Sequence, residues 1–196
     1  MAAAIQQTRS RYRDGEERAE LFAIIATRSF RRGLFKLSSG VESNLYFNLK
    51  PAMMHPRGAY LSARSFLDVL HEEGAEYVGG LEMGAVPIIG AVAAVGEIEG
   101  RPVKTFFVRK QPKAHGTRDL IEGLGPDETL GGRRVVVADD VATSGASIWR
   151  AIEAARTAGA QVDSALVLVN RDEGAEAFLA GHDVRLLSVF RAGQFA

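Results

Sequence analysis

The sequence predicts an α/β domain: a mostly parallel central sheet flanked by helices, with a small hood near the N-terminus. Three observations carry that expectation. Short apolar runs at Tyr77–Leu81, Val103–Val108, Arg134–Ala138, Ala165–Val169 and Val184–Val189 have the length and β-branched content of buried strands. Segments of helical periodicity separate them, an alternation that right-handed crossovers between parallel strands produce. The run Val135–Ala138 also leads straight into two adjacent acids and a turn of small residues. That places polar chemistry at the carboxyl end of a strand, where open α/β sheets bind ligands.

Taken in order, residues 1–13 are polar and basic, with no packing signal. Asp14 and Glu17 resemble a capping box opening a helix that carries Leu21, Phe22, Ile24 and Ile25 close to one face and stops at Gly33. Leu34–Leu37 and Leu45–Leu49 read as two short strands around the turn SSGVES. Such a piece serves either as a hood over a site or as a plain surface hairpin. Helix and hood together occupy about 14–56. After Pro51 and Pro56, Tyr60–Leu70 is an amphipathic helix ending near Gly74, and strand Tyr77–Leu81 follows. The stretch LEMGAVPIIGAVAAVG then gives a loop and a strongly apolar helix of small residues. Helices are expected again at Ile148–Ala158 and about Ala175–Leu179. The whole chain, 1–196, reads as one domain.

Composition narrows the partners. Lysine plus arginine and aspartate plus glutamate each number 24, so no global field draws in nucleic acid or an anionic membrane, and neither is an expected partner. Any anion site must be local. The absence of cysteine excludes disulfides, zinc–thiolate sites and thiol nucleophiles. The segment MAAAIQQTRSRYRDG has no apolar core of signal-peptide length, and no window approaches a transmembrane span. A cytoplasmic protein is expected.

The stretch VVVADDVATSGAS, Val135–Ser147, organises the rest. A small-residue turn at a helix N-terminus offers unpaired amides on the positive end of the helix dipole, which suits phosphate. Two carboxylates beside it would repel that phosphate unless they address sugar hydroxyls or a magnesium ion. A ribose 5-phosphate satisfies both halves. Asp139–Asp140 alone would also fit an ordinary strand-to-helix connection with solvated acids. A second signal is the connection of about 25 residues between Val108 and Arg134, which concentrates Arg109, Lys110, Lys113, His115 and Arg118. So long and polar a segment is a solvated loop or a lid for a polyanion. We expect a mobile catalytic loop at about 109–131.

Val135–Ser147 resembles the signature of the type I phosphoribosyltransferases, which bind 5-phosphoribosyl 1-diphosphate (PRPP). The resemblance implies that Asp139 and Asp140 contact the ribose hydroxyls. It implies that Val141, Ala142, Thr143, Ser144, Gly145, Ala146 and Ser147 complete the PRPP site around the 5-phosphate. Arg-Lys-x-x-Lys-x-His-Gly from Arg109 to Gly116 resembles more narrowly the catalytic loop of the orotate phosphoribosyltransferases. By that likeness Lys113 and His115 are catalytic together with Asp139 and Asp140. Arg109 and Lys110 form the loop base of a PRPP site, and the loop acts in trans across a homodimer. The stretch FKLSSGVESNLYFNLK resembles the same family's N-terminal region through Ser39-Gly40, Ser43, Tyr46-Phe47 and Lys50, although many members have lysine in place of Ser39. Glu82, Met83 and Gly84 occupy the family's diphosphate loop, with Met83-Gly84 where many members have Tyr-Lys. The orotate contacts implied are Ser39, Tyr46, Phe47, Thr143 and Arg171. The implied reaction joins orotate and PRPP into orotidine 5-phosphate and diphosphate. It uses Mg2+ bound mainly through PRPP, with Asp139 and Asp140 as its protein partners, through water. A transferase for another base, or a PRPP-sensing regulator without catalysis, keeps the same PRPP signature. The intact Lys113 and His115, and the lack of an added DNA-binding domain, argue against the regulator.

Overall fold

A computed structural model describes residues 15–36, 42–111 and 120–196. Helix α1 (Glu16–Arg28) has Gly15 as its N-cap and no side-chain cap. Asp14, expected to cap it, lies outside the described residues. Glu17 pairs instead with Arg64 at 3.1 Å. The helix also stops earlier than Gly33 because Ser29 turns the chain. The Ser29 carbonyl accepts from the Asn48 amide and its hydroxyl from the Ala52 amide. Strand β1 (Phe30–Lys36) therefore starts where helix was expected, and pairs antiparallel with β2 (Glu42–Phe47). The ladder shifts register between Arg32 and Phe35, next to Gly33.

A single turn, α2 (Lys50–Met53), leads to α3 (Pro56–Glu72), whose buried face includes Leu61, Phe66, Leu67 and Leu70. Gly74, at φ 65°, releases the chain from that helix. Then follow β3 (Tyr77–Leu81), α4 (Val86–Ile98), β4 (Lys104–Val108), β5 (Ile121–Glu122) and β6 (Arg134–Ala142). The chain closes with α5 (Ala146–Thr157), β7 (Gln161–Asn170), α6 (Ala175–Ala180), β8 (Arg185–Arg191) and a 3₁₀ turn at Ala192–Phe195. Every strand and helix expected in this half is present, with ends displaced by a few residues. The connection after β4 differs more. Ile121–Glu122 folds back antiparallel on β4, and Leu130 is buried, so the described part of the expected loop is built into the domain.

The main sheet has the order β5-β4-β3-β6-β7-β8, and every neighbouring pair except β4–β5 is parallel. Strand alternation divides the core. Val136, Ala138, Leu166 and Leu168 join α1, α3 and α4 on one face, while Val135, Val137, Ala165 and Val167 join α5 and α6 on the other. The centre of the sheet is held close by glycine. A Cβ on Gly79 would overlap the Phe106 ring, and one on Gly80 would overlap the Ala138 carbonyl. From β3 the chain steps one way to β4 and β5 and the other way to β6, β7 and β8. The carboxyl ends of β3 and β6 therefore flank the topological switch point, the place at which open α/β sheets bind ligands.

Candidate active site

Strand β3 pairs with β6 only as far as Val137, whereas β7 pairs with it out to Ala142. The strand does not end at Ala138, as its apolar run suggested; it continues through both acids with β7 as its support. Asp139 is 5% exposed. Its Oδ1 accepts from the Asp140 amide and its Oδ2 from the Ser147 hydroxyl, each at 2.9 Å. Burial, reinforced by the neighbouring Asp140 charge, pushes the Asp139 carboxyl up to about 7. Asp140 lies nearer to solvent. Its Oδ1 accepts from the Val141 amide at 2.9 Å, and its Oδ2 stands 3.8 Å from Lys50 Nζ.

Beyond the acids the turn is shaped by Gly145, whose φ of 85° favours glycine and whose Cβ would come within 3.0 Å of the Phe178 ring. No side chain caps α5. Its first amides thus have no side-chain partner from the cap position. The turn is held from behind, because the Arg171 amide donates to the Ala142 carbonyl and the Ala175 amide to the Thr143 carbonyl.

The segment from Glu82 to Gly84 closes over the acids from the end of β3. A Cβ on Gly84 would collide with Asp139 Oδ1 and stand 3.0 Å from Asp140 Oδ1. The Glu82–Met83 peptide is cis, and Met83 is exposed. Glu82 fixes the base of the basic loop: its amide donates to the Val108 carbonyl and its Oε1 accepts from the Lys110 amide, both at 2.8 Å. Arg109 Nε donates to the Gln111 carbonyl, and its Nη1 lies 3.7 Å from Glu122.

Arg171 follows β7 and is buried. Its Nη2 donates to the hood carbonyl of Leu45 at 3.1 Å and to Glu173 Oε1 at 2.7 Å. Neighbouring Tyr46 is 39% exposed, but Phe47 turns away, into a cluster with Phe30 and Phe195. The structure thus gathers Asp139, Asp140, the turn 141–147, the loop 82–84 and the Arg109–Lys110 base at one end of the sheet, and ties Arg171 to the hood. It does not bring Phe47 to them. Ser39, Lys113 and His115 lie outside the described residues. Sequence reasoning missed Glu173 as the partner of Arg171; two residues' separation beyond a strand end was the available signal.

A sheet with its switch point between β3 and β6, an acid pair on β6 and a small-residue turn directly after it are the marks of a type I phosphoribosyltransferase fold. The chain is 49% identical over 178 residues to the orotate phosphoribosyltransferase of Bradyrhizobium sp. (strain ORS 278), covering 91% of this chain and 96% of that protein. The chain belongs to the orotate phosphoribosyltransferase family. Among solved structures, Mycobacterium tuberculosis H37Rv orotate phosphoribosyltransferase with Fe(III) dicitrate superposes with a TM-score of 0.79 at 33% identity, over 92% of this chain and 99% of that one. The same enzyme in complex with PRPP gives 0.75 at 31%, over 91% and 98%. No family model matches the chain.

Proposed function

We propose that this protein transfers the 5-phosphoribosyl group from PRPP to orotate, giving orotidine 5-phosphate and diphosphate for pyrimidine synthesis, and works as a cytoplasmic homodimer. The observation that carries the reading is the convergence of the 82–84 loop and the 141–147 turn on one acid pair, in a chain closely related to orotate phosphoribosyltransferases. No described helix is long and apolar enough to cross a membrane.

In this reading the α5 N-terminus and the hydroxyls of Thr143 and Ser144 hold the 5-phosphate, while Asp139 and Asp140 accept from the ribose hydroxyls. Amides of the 82–84 loop meet the diphosphate. Arg171 takes the orotate carboxylate in place of Glu173, with Tyr46, Thr143 and Ser39 around the base. Lys113 and His115 come from the partner subunit's loop, and Arg109 and Lys110 form the base of that loop.

Among the described residues no group of three or more metal-ligating side chains is assembled. The Asp139–Asp140 pair fits an ion that arrives on the substrate, since magnesium is commonly held by one or two carboxylates plus phosphate oxygens. When bound, it would neutralise charge on the diphosphate. The protein's own task is positioning and electrostatics. As the ribose C1–oxygen bond to diphosphate breaks and the bond to the orotate ring nitrogen forms, negative charge grows on the leaving group and positive charge on the ribose. Preorganised cations and amides are stronger partners for that separated state than for the ground state.

The test is diphosphate release from PRPP with Mg2+ and orotate, uracil or adenine as acceptor. Release only with orotate is expected; comparable rates with another base would reassign the acceptor, and none with any base would remove the transferase reading. Arg171→Ala is expected to raise the KM for orotate by about thirtyfold or more, with the KM for PRPP little changed, because losing one partner of a desolvated charge pair costs about 2–5 kcal/mol. Equal effects on both substrates would move Arg171 out of the base site.

A further inference from the structure

We propose that Lys50 is a diphosphate-binding residue of this site, supplying from within the same subunit the cation that the 82–84 loop lacks. The inference rests on the PRPP reading above.

The ends of β3 and β6 contribute three carboxylates, Glu82, Asp139 and Asp140, to a site for a polyanionic substrate, while Arg109 at the end of β4 already faces Glu122. An anion brought there needs a nearby cation. Among the described residues, the ion pair recorded for the acids is that of Lys50 with Asp140. Gly84 carries no side chain and lies close to both acids, where an added Cβ would meet Asp139 Oδ1 and stand 3.0 Å from Asp140 Oδ1. The loop Glu82–Gly84 thus offers no cationic side chain of its own, and a cation must approach from elsewhere.

Geometry supplies the direction. Gly84 packs against Oδ1 of Asp140, while the Lys50 ammonium faces Oδ2 of the same carboxylate. Lysine 50 thus stands across one carboxylate from the loop that would hold the diphosphate. Its backbone is fixed, since Leu49, Ala52 and Met53 on either side are buried. Its side chain is half exposed, and 3.8 Å is too long for a tight hydrogen bond to Asp140. A loose, half-exposed pair of this kind adds little to stability. The flexible stem and compact charge of lysine suit it to swing from Asp140 to a phosphate oxygen.

The experiment compares three probes by calorimetry in the presence of Mg2+: PRPP, inorganic diphosphate and ribose 5-phosphate. These are titrated into the wild-type, Lys50→Gln and Lys50→Arg proteins. The glutamine variant is expected to lose about tenfold to a hundredfold in affinity for PRPP and for diphosphate, the span of one charge-assisted hydrogen bond, and less than about twofold for ribose 5-phosphate. The arginine variant is expected to retain most of the PRPP affinity. Unchanged PRPP binding in Lys50→Gln would overturn the proposal. So would an equal loss on ribose 5-phosphate, which would mean that Lys50 acts by orienting Asp140. A wild-type protein that binds none of the probes would overturn the PRPP reading itself, and is distinct from either result. Melting curves of all three proteins establish that the comparison is between folded chains.

Discussion

A carboxyl group buried as deeply as Asp139 suits the fold as a neutral acid and strains it as an anion. Its pKa is raised from an ordinary 3.8 to about 7, chiefly by burial and secondarily by Asp140. The folded state therefore keeps a proton that the unfolded chain releases near pH 4, and stability from this group falls as pH rises from about 4 to about 7. Below that window Asp139→Asn replaces one neutral group by another and changes little. Above it the substitution removes a buried charge. We expect Asp139→Asn to melt at least about 2–4 °C above wild type at pH 8 and within about 2 °C of it at pH 3.5, below the window, measured by calorimetry. A lower melting temperature at pH 8 would show that the anion is stabilised where it stands. PRPP affinity of wild type is expected to rise as pH passes 7, since the anion is the better acceptor for ribose hydroxyls. The adjacent acids were legible in the sequence as chemistry. Their unequal burial was not, because it comes from β3 leaving β6 at Val137 while β7 stays, a difference between neighbours far apart along the chain.

At the level of elements, strands and helices of the parallel sheet were readable because each buries a continuous apolar run or stripe. The hood was harder. Its strands start at Phe30 and Glu42, and carry arginine, lysine and asparagine that periodicity assigns elsewhere. What holds it is a tertiary cluster: Phe195 stacks on Phe22 at 4.4 Å between ring centres and lies 5.4–5.8 Å from Phe47, Phe30 and Phe190. Arg32 Nη2 adds a bond to the Phe195 carbonyl at 3.1 Å. The same cluster explains why Phe47, which the hood pattern offered as an orotate contact, faces the body of the protein. Removing a buried phenylalanine costs about 3–5 kcal/mol. Phe195→Ala is thus expected to lower stability to urea by about that amount and to raise hydrogen exchange in β1 and β2 beyond that in β6 and β7. Uniform exchange across hood and sheet would show that the cluster does not selectively anchor the hood.

The molecule as a whole brings together parts of unlike origin. Asp139 and Asp140 ride on the sheet of one subunit, whereas Lys113 and His115 belong to a loop that the proposal assigns to the neighbouring site. Leaving-group stabilisation by Lys113 is realised as the bond breaks, so Lys113→Ala is expected to lower kcat more than substrate affinity. The arrangement in trans is tested by mixing two chains, one carrying Lys113→Ala and the other carrying Asp139→Asn and Asp140→Asn. Each homodimer lacks one necessary part at both of its sites. In a mixed dimer, the site with intact acids is served by the intact loop of its partner, and the other site receives neither. Random exchange makes about half of the dimers mixed, each with one working site, so activity per chain is expected to recover to about a quarter of wild type. If the loop served its own subunit, the mixed dimer would contain no complete site. Absence of recovery, once mass spectrometry has shown that mixed dimers are present, would therefore place Lys113 in the same subunit as the acids it assists.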